Sequence, residues 1–186
     1  MTEQKAAGRV FIATSLDGYI ARPNDTLDWL DPYEADGYEE FVANIDAFVL
    51  GSRTFNVVLG FGGEWHFQKP VVVMSQSLTE ADIPEPLANR DKGKVELSSL
   101  EPQAFLEDAA ERGWKRVYVD GGRLIQSFLR DGLIEEMTIS RMPILLGDGI
   151  PLFGDLEQDI KLELMGSKTF PSGVVQSRYK VQSQPA

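Results

Sequence analysis

The chain has 186 residues, 42% hydrophobic and 25% charged, with 29 acidic against 18 basic side chains and a formal net charge of −11. That length suits one domain with a substantial core, and the acidity opposes binding to a phosphodiester backbone, which excludes nucleic acid as a partner. With no Cys and a single His66, disulfides, His-rich or Cys-ligated metal centres and a Ser-His-Asp mechanism are excluded too. No apolar run is long enough to span a bilayer and Met1–Gly8 is too polar for a signal peptide, so a cytoplasmic small-molecule protein is expected.

In chain order, residues 1–8 and 183–186 read as frayed ends flanking one domain over residues 9–182. Arg9–Thr14 is a short apolar run expected as a buried strand, followed by a loop rich in Asp, Asn, Gly and Pro up to Pro32. Tyr33–Asn44 carries Tyr38, Phe41 and Val42, followed by Ile45, at helical spacing. Ala47–Leu50 is a strand ended by Gly51, Thr54–Leu59 a short helix and Val71–Met74 a further strand. Leu78–Lys92, polar and broken by Pro84 and Pro86, reads as loop. Lys94–Leu97 is a strand, Pro102–Arg112 a helix, Arg116–Val119 a strand and Leu124–Arg130 a helix. Glu135–Met142, Ile160–Thr169 and Val174–Val181 read as strands, with Ser172-Gly173 as a hairpin turn between the last two. Alternating strands and helices followed by strands alone predict an α/β fold. Its mainly parallel central sheet would carry helices on both faces and an antiparallel C-terminal hairpin.

Two strand ends carry the chemistry most plainly. Val117–Val119 ends in Asp120, then Gly121-Gly122-Arg123-Leu124 opens a helix. Glycines there let backbone N–H groups approach a phosphate at the positive end of the helix dipole. Gly51-Ser52-Arg53-Thr54 repeats the arrangement, adding two hydroxyls and a guanidinium, although a plain strand-to-helix turn has the same outline. Ser75-Gln76 follows a third strand and is either a polar loop or part of the same ligand edge. Trp29, Tyr33, Phe61, Trp65, His66 and Phe67 fall outside regular core periods. They suit either stacking on a flat ring or packing beneath loops.

Three blocks in order, FIATSLDGYIA, VLGSRTF and DGGRLIQSFLRDGLIEEMTISRMPILLGDGIPLF, resemble the dihydrofolate reductase-like superfamily. The similarity is to its branch containing the pyrimidine reductase of riboflavin biosynthesis. The resemblance covers roughly Arg9 to Val181 and implies an NADPH-dependent reductase acting on a pteridine- or pyrimidine-like heterocycle, in a homodimer. It also implies that Ala13 and Ser15 lie near the nicotinamide carboxamide and Asp17 near the substrate; Ser15, with Trp29 and Tyr33 from the loop aromatics, is a candidate substrate contact. By the same resemblance Gly51–Thr54, Ser75, Gln76 and Gly121–Leu124 hold the cofactor. The superfamily usually carries Arg directly after the Gly of the second block, where this chain has Ser52, so NADH stays beside NADPH; a flavin is a third candidate. An acid on the first helix, counted back from the Gly51 turn, falls at Asp36; Asp17 is the rival proton donor. A nucleotide- or flavin-binding protein without turnover is the competing reading.

Overall fold

Within Ala47–Leu50, Phe48 and Leu50 point to one side and Ala47 and Val49 to the other, and none is more than 2% exposed. A strand buried on both faces carries apolar residues without alternation, as parallel sheets covered by helices do. The computed structural model, which describes residues 5–33, 36–62 and 64–182, has such a sheet at its centre. Its strands are β1 (Ala7–Thr14), β2 (Tyr19–Ala21), β3 (Ala47–Gly51), β4 (Val71–Met74), β5 (Val95–Ser98), β6 (Arg116–Asp120), β7 (Ile134–Arg141), β8 (Ile150–Pro151), β9 (Leu162–Thr169) and β10 (Val175–Val181). The helices are α1 (Tyr38–Ala43), α2 (Ser52–Gly60), α3 (Glu85–Ala88), α4 (Pro102–Glu111) and α5 (Gly122–Arg130).

Eight strands form one sheet in the order β5-β4-β3-β6-β1-β7-β10-β9. The six from β5 to β7 pair in parallel, and β10 runs antiparallel to both β7 and β9. The expected C-terminal hairpin is therefore present, its turn closed by Gly173 N–H donating to the Phe170 carbonyl at 2.9 Å. Helices cover both faces. On one, Phe105, Leu106 and Ala109 of α4 and Ile125, Phe128 and Leu129 of α5, at the i, i+3, i+4 spacing of a buried stripe, meet Val49, Val117 and Val119. On the other, Phe55 of α2 and Leu87 of α3 meet Phe48, Leu50, Val71 and Val73.

Four expectations need correction. The helix expected over Tyr33–Asn44 begins only at Tyr38, because Gly37 takes φ +89, a backbone state outside the helical region; Glu34 and Ala35 lie outside the described residues. The stretch Leu78–Lys92 contains a 3-10 turn at Glu80–Asp82 and then α3. Thr79 and Asp82 cap that turn reciprocally, a pattern the prolines masked. Ala7 and Gly8 belong to β1, paired with Arg116 and Val117, so the ordered chain starts before Arg9; residues 1–4 and 183–186 lie outside the described residues. Finally, β2 and β8 form a small antiparallel pair that joins the loop after β1 to the segment Pro143–Phe153.

Candidate active site

In an open parallel sheet ligands collect at the carboxyl ends of the strands, where chain direction brings loops and helix starts together. Here those ends surround a cleft of about 510 Å³. Two helices begin on its wall in the same way. Gly51 is the N-cap of α2 and Gly121 that of α5, and neither helix has a side-chain cap or an acidic residue in its first turn. Each instead places an arginine second in the helix, Arg53 and Arg123, against the positive end of its own dipole. The two starts touch: a Cβ on Gly121, whose φ is +108, would lie 2.5 Å from Thr54 Oγ1 and 3.8 Å from Gly51 N. The amide-bearing starts of two helices thus lie side by side, with Arg53 and Arg123 on the same cleft wall, an arrangement that favours an anion.

The rest of the cleft is apolar. Ala13, Ile20, Leu27 and Leu30 line one part, Val57, Val58 and Phe61 another, with Phe11 and Tyr118 at depth. Tyr118 has its hydroxyl committed, donating to the Phe11 carbonyl at 2.6 Å, and burial pushes its phenol well above the usual range. Two carboxyl residues, Asp25 and Asp120, also line the cleft. Burial pushes Asp120 up to about 6, against the pull of the Gly121 N–H, which donates to Asp120 Oδ1 at 2.8 Å. Asp120 was visible as the residue ending an apolar run before Gly-Gly, and that is the signal by which a carboxyl at a strand's ligand edge is found.

Of the residues singled out from sequence, Ala13, Gly51, Ser52, Arg53, Thr54, Phe61, Gly121, Gly122, Arg123 and Leu124 all line this cleft. The others are placed differently. Asp36 stands in a second groove sharing only Phe11 with the cleft, where it pairs with Lys168 and its carbonyl accepts from Gln176 Nε2 at 3.1 Å. Gly37 diverts the chain at that point, which is why counting along a presumed helix misplaces this acid. Ser75 and Gln76 close the ends of β4 and β5. Ser75 Oγ accepts from the Leu78 N–H at 3.0 Å, and Gln76 Nε2 donates to the Ser99 carbonyl at 2.9 Å. Trp29 is 3% exposed and packs with Met142 and Val174, with Tyr33 partly buried against them. Trp65 and Phe67 pack on the core beside Phe48 and Phe55.

Ser15 and Asp17 form a bracket. Ser15, fully buried, donates its hydroxyl to Asp17 Oδ1 at 2.6 Å and accepts from the Tyr19 N–H at 2.9 Å. Asp17 also accepts from the Leu146 N–H at 3.1 Å and the Gly147 N–H at 2.8 Å, tying the loop after β1 to the turn before β8. The Ser15 hydroxyl first, then the Gly147 and Leu146 amides, hold the Asp17 carboxyl below its ordinary value of 3.8, leaving it ionised at neutral pH with no proton to give. Its stabilising contribution is present above that ordinary value and disappears as pH falls through the depressed one. Asp17→Ala will lower the melting temperature by a few degrees at neutral pH and leave a smaller difference in acid, as calorimetry across pH will show.

Residues 7–176 match the RibD C-terminal domain. The chain belongs to that family. Among solved structures, a putative riboflavin biosynthesis protein from Shewanella sp. PV-4 is 39% identical with a TM-score of 0.84, over 95% of this chain and 99% of that one. YyaP of Bacillus subtilis, an uncharacterized protein, is 30% identical over 183 residues, covering 90% of this chain and 91% of its own. A diaminohydroxyphosphoribosylaminopyrimidine deaminase/5-amino-6-(5-phosphoribosylamino)uracil reductase from Thermotoga maritima shares the fold, with a TM-score of 0.74 at 15% identity; this chain spans 58% of it. Among the described residues no helix is long and apolar enough to cross a membrane, and no acidic, His or Cys cluster forms a metal site.

Proposed function

We propose that this RibD-family chain is a reductase that binds NADPH in the cleft and reduces a planar pteridine- or pyrimidine-like heterocycle. The observation that carries this reading is the paired, uncapped helix start: Gly51 and Gly121 side by side, with Arg53 and Arg123 each set against its own helix dipole. A cation there weakens its helix unless an anion covers it, and a dinucleotide brings a diphosphate. The absence of a Cβ at Gly121 lets the two helix starts come this close, since a methyl there would lie 2.5 Å from Thr54 Oγ1.

A reduced nicotinamide, when bound, supplies a hydride to a polarised C=N or C=O carbon. The chain supplies the rest. Its apolar walls exclude water and hold a flat ring. Asp120, a carboxyl that burial keeps partly protonated near neutrality, donates a proton to the nitrogen or oxygen as the double bond's electron pair moves there, and recovers its proton from water. This role passes to Asp120 because Asp17 is ionised in its bracket and Asp36 faces another groove. A cytoplasmic location accords with the need for reduced nucleotide.

Binding and turnover are tested together. Calorimetric titration with NADPH and NADH should give saturable heat. Loss of the reduced-nicotinamide absorbance with a panel of oxidised pterins and aminopyrimidinones should then reveal the substrate. No heat with either nucleotide would sink the reading; heat without consumption on any ring would leave a binding protein.

A homodimer accompanies this function. Strand β9 ends the sheet and is exposed along its whole length, including Leu162, Leu164 and Met165. A bare strand edge with apolar side chains invites pairing. The groove beside it alternates Arg9, Lys168 and Arg178 with Asp36 and Glu136, a mixture that a two-fold axis can match to itself. Sedimentation should give a dimer for the wild-type chain and a monomer for Leu164→Glu.

A further inference from the structure

Between β2 and α1 the chain folds into a strap beside the cleft. Arg22 and Asp28 are joined by two hydrogen bonds of 2.8 and 3.0 Å, the Arg22 N–H donates to the Thr26 carbonyl at 3.1 Å, and the Asp25 N–H donates to the Arg22 carbonyl at 2.9 Å. This closed turn sets Asp25 at φ +68, where it alone of the described non-glycine residues has a left-handed backbone. Aspartate and asparagine tolerate that conformation better than other side chains. The turn delivers a carboxylate to the helix start opposite. Asp25 Oδ1 accepts from Arg53 Nε at 2.5 Å, and the Pro23 carbonyl accepts from the same guanidinium at 3.4 Å. Both Asp25 and Arg53 line the cleft.

A carboxylate on a guanidinium at an uncapped helix start stands where a phosphate oxygen would stand, since both present oxygens of like charge to the same fork of donors. The pair is also easily broken: its side chains are 34% and 49% exposed, the condition under which ion pairs contribute little. We propose that Asp25 is an affinity-determining residue, an internal anion that competes with a nucleotide phosphate for Arg53. Binding then consists of an exchange in which the phosphate takes the guanidinium and Asp25 turns to water, with no bond made or broken. This inference rests on the nucleotide reading of the cleft.

Asp25→Asn removes the charge and keeps a residue suited to the left-handed turn, and Asp25→Gly does the same with no side chain. Calorimetry with NADPH and with NADH should show either variant binding about two- to fivefold tighter than wild type, the scale of one exposed ion pair. In an Arg53→Gln background the same replacements should change nothing. Tightening of NADPH alone assigns the 2′-phosphate to Arg53; tightening of both nucleotides assigns the diphosphate; each supports the proposal. Wild-type binding that the Asp25 variants leave unaltered overturns it while the nucleotide reading stands. A gain that persists without Arg53 also overturns it, and an absence of binding in every protein overturns both readings.

Discussion

Gly121→Ala will weaken NADPH binding by about ten- to a hundredfold and lower the melting temperature. Two effects act at this position. At φ +108 an alanine backbone is strained, a cost of about 1–3 kcal/mol. Its methyl group would also lie 2.5 Å from Thr54 Oγ1, so the first turn of α2 must shift away from α5. The second effect separates the two sets of amides whose convergence makes the anion site, and so reaches affinity as well as stability. Gly132→Ala is the control. Its φ is +67 with nothing within 4 Å of the added carbon, so it carries the backbone strain without the collision. Calorimetry and melting should show stability lost in both variants and affinity lost only at Gly121.

Asp120→Asn will lower turnover by about a hundred- to ten-thousandfold, the usual worth of a positioned acid, while making the protein more stable above pH 6. The sign follows from burial. In the folded chain the carboxyl is pushed up to about 6 from an ordinary value of 3.8. Between those values the folded state holds a proton that the unfolded state has released, so stability falls as pH rises. Above pH 6 the loss is complete and amounts to up to about 3 kcal/mol. Asparagine has no charge to bury and escapes it. Melting curves of the two proteins should therefore converge below pH 4 and separate above pH 6, with the wild type lower. The wild-type rate with a saturating heterocycle should decline as pH rises through the same range. Equal rates for the two proteins would remove Asp120 from the chemistry, whatever their melting behaviour.

The parallel sheet was legible because Ala47–Leu50, Val71–Met74 and Val117–Val119 are apolar without alternation, and only a doubly covered strand asks for that. The two glycine-opened helix starts were legible for a related reason: Gly51-Ser52-Arg53-Thr54 and Gly121-Gly122-Arg123-Leu124 each combine a strand end, a small residue and a helix start, and local chemistry alone brings those together. The carboxyls were harder. Asp17 and Asp120 each precede a glycine at the end of a β1- or β6-derived segment, yet one is held down by the Ser15 hydroxyl and then by amides from residues 147 and 146, and the other is raised by burial. The amides on Asp17 and the side chains that bury Asp120 come from distant parts of the chain and leave no mark nearby. Asp36 stands before the helix for a backbone reason: the next residue, Gly37, is left-handed, and α1 starts only after it. The Asp25 clasp was invisible for the same cause as the β2–β8 pair: both join segments whose own sequences read as loop.

The central position of β1 governs how the chain is made. Its first residue, Ala7, pairs with Arg116, and Arg9 pairs with Glu136, so β1 has no partner strand in the main sheet until β6 and β7 have left the ribosome. Contacts this distant in sequence slow folding, since a long loop must close before any of them forms. Val10, Phe11 and Ile12 must stay unpaired through that wait, an interval in which a chaperone that shields apolar segments would raise the yield of native protein.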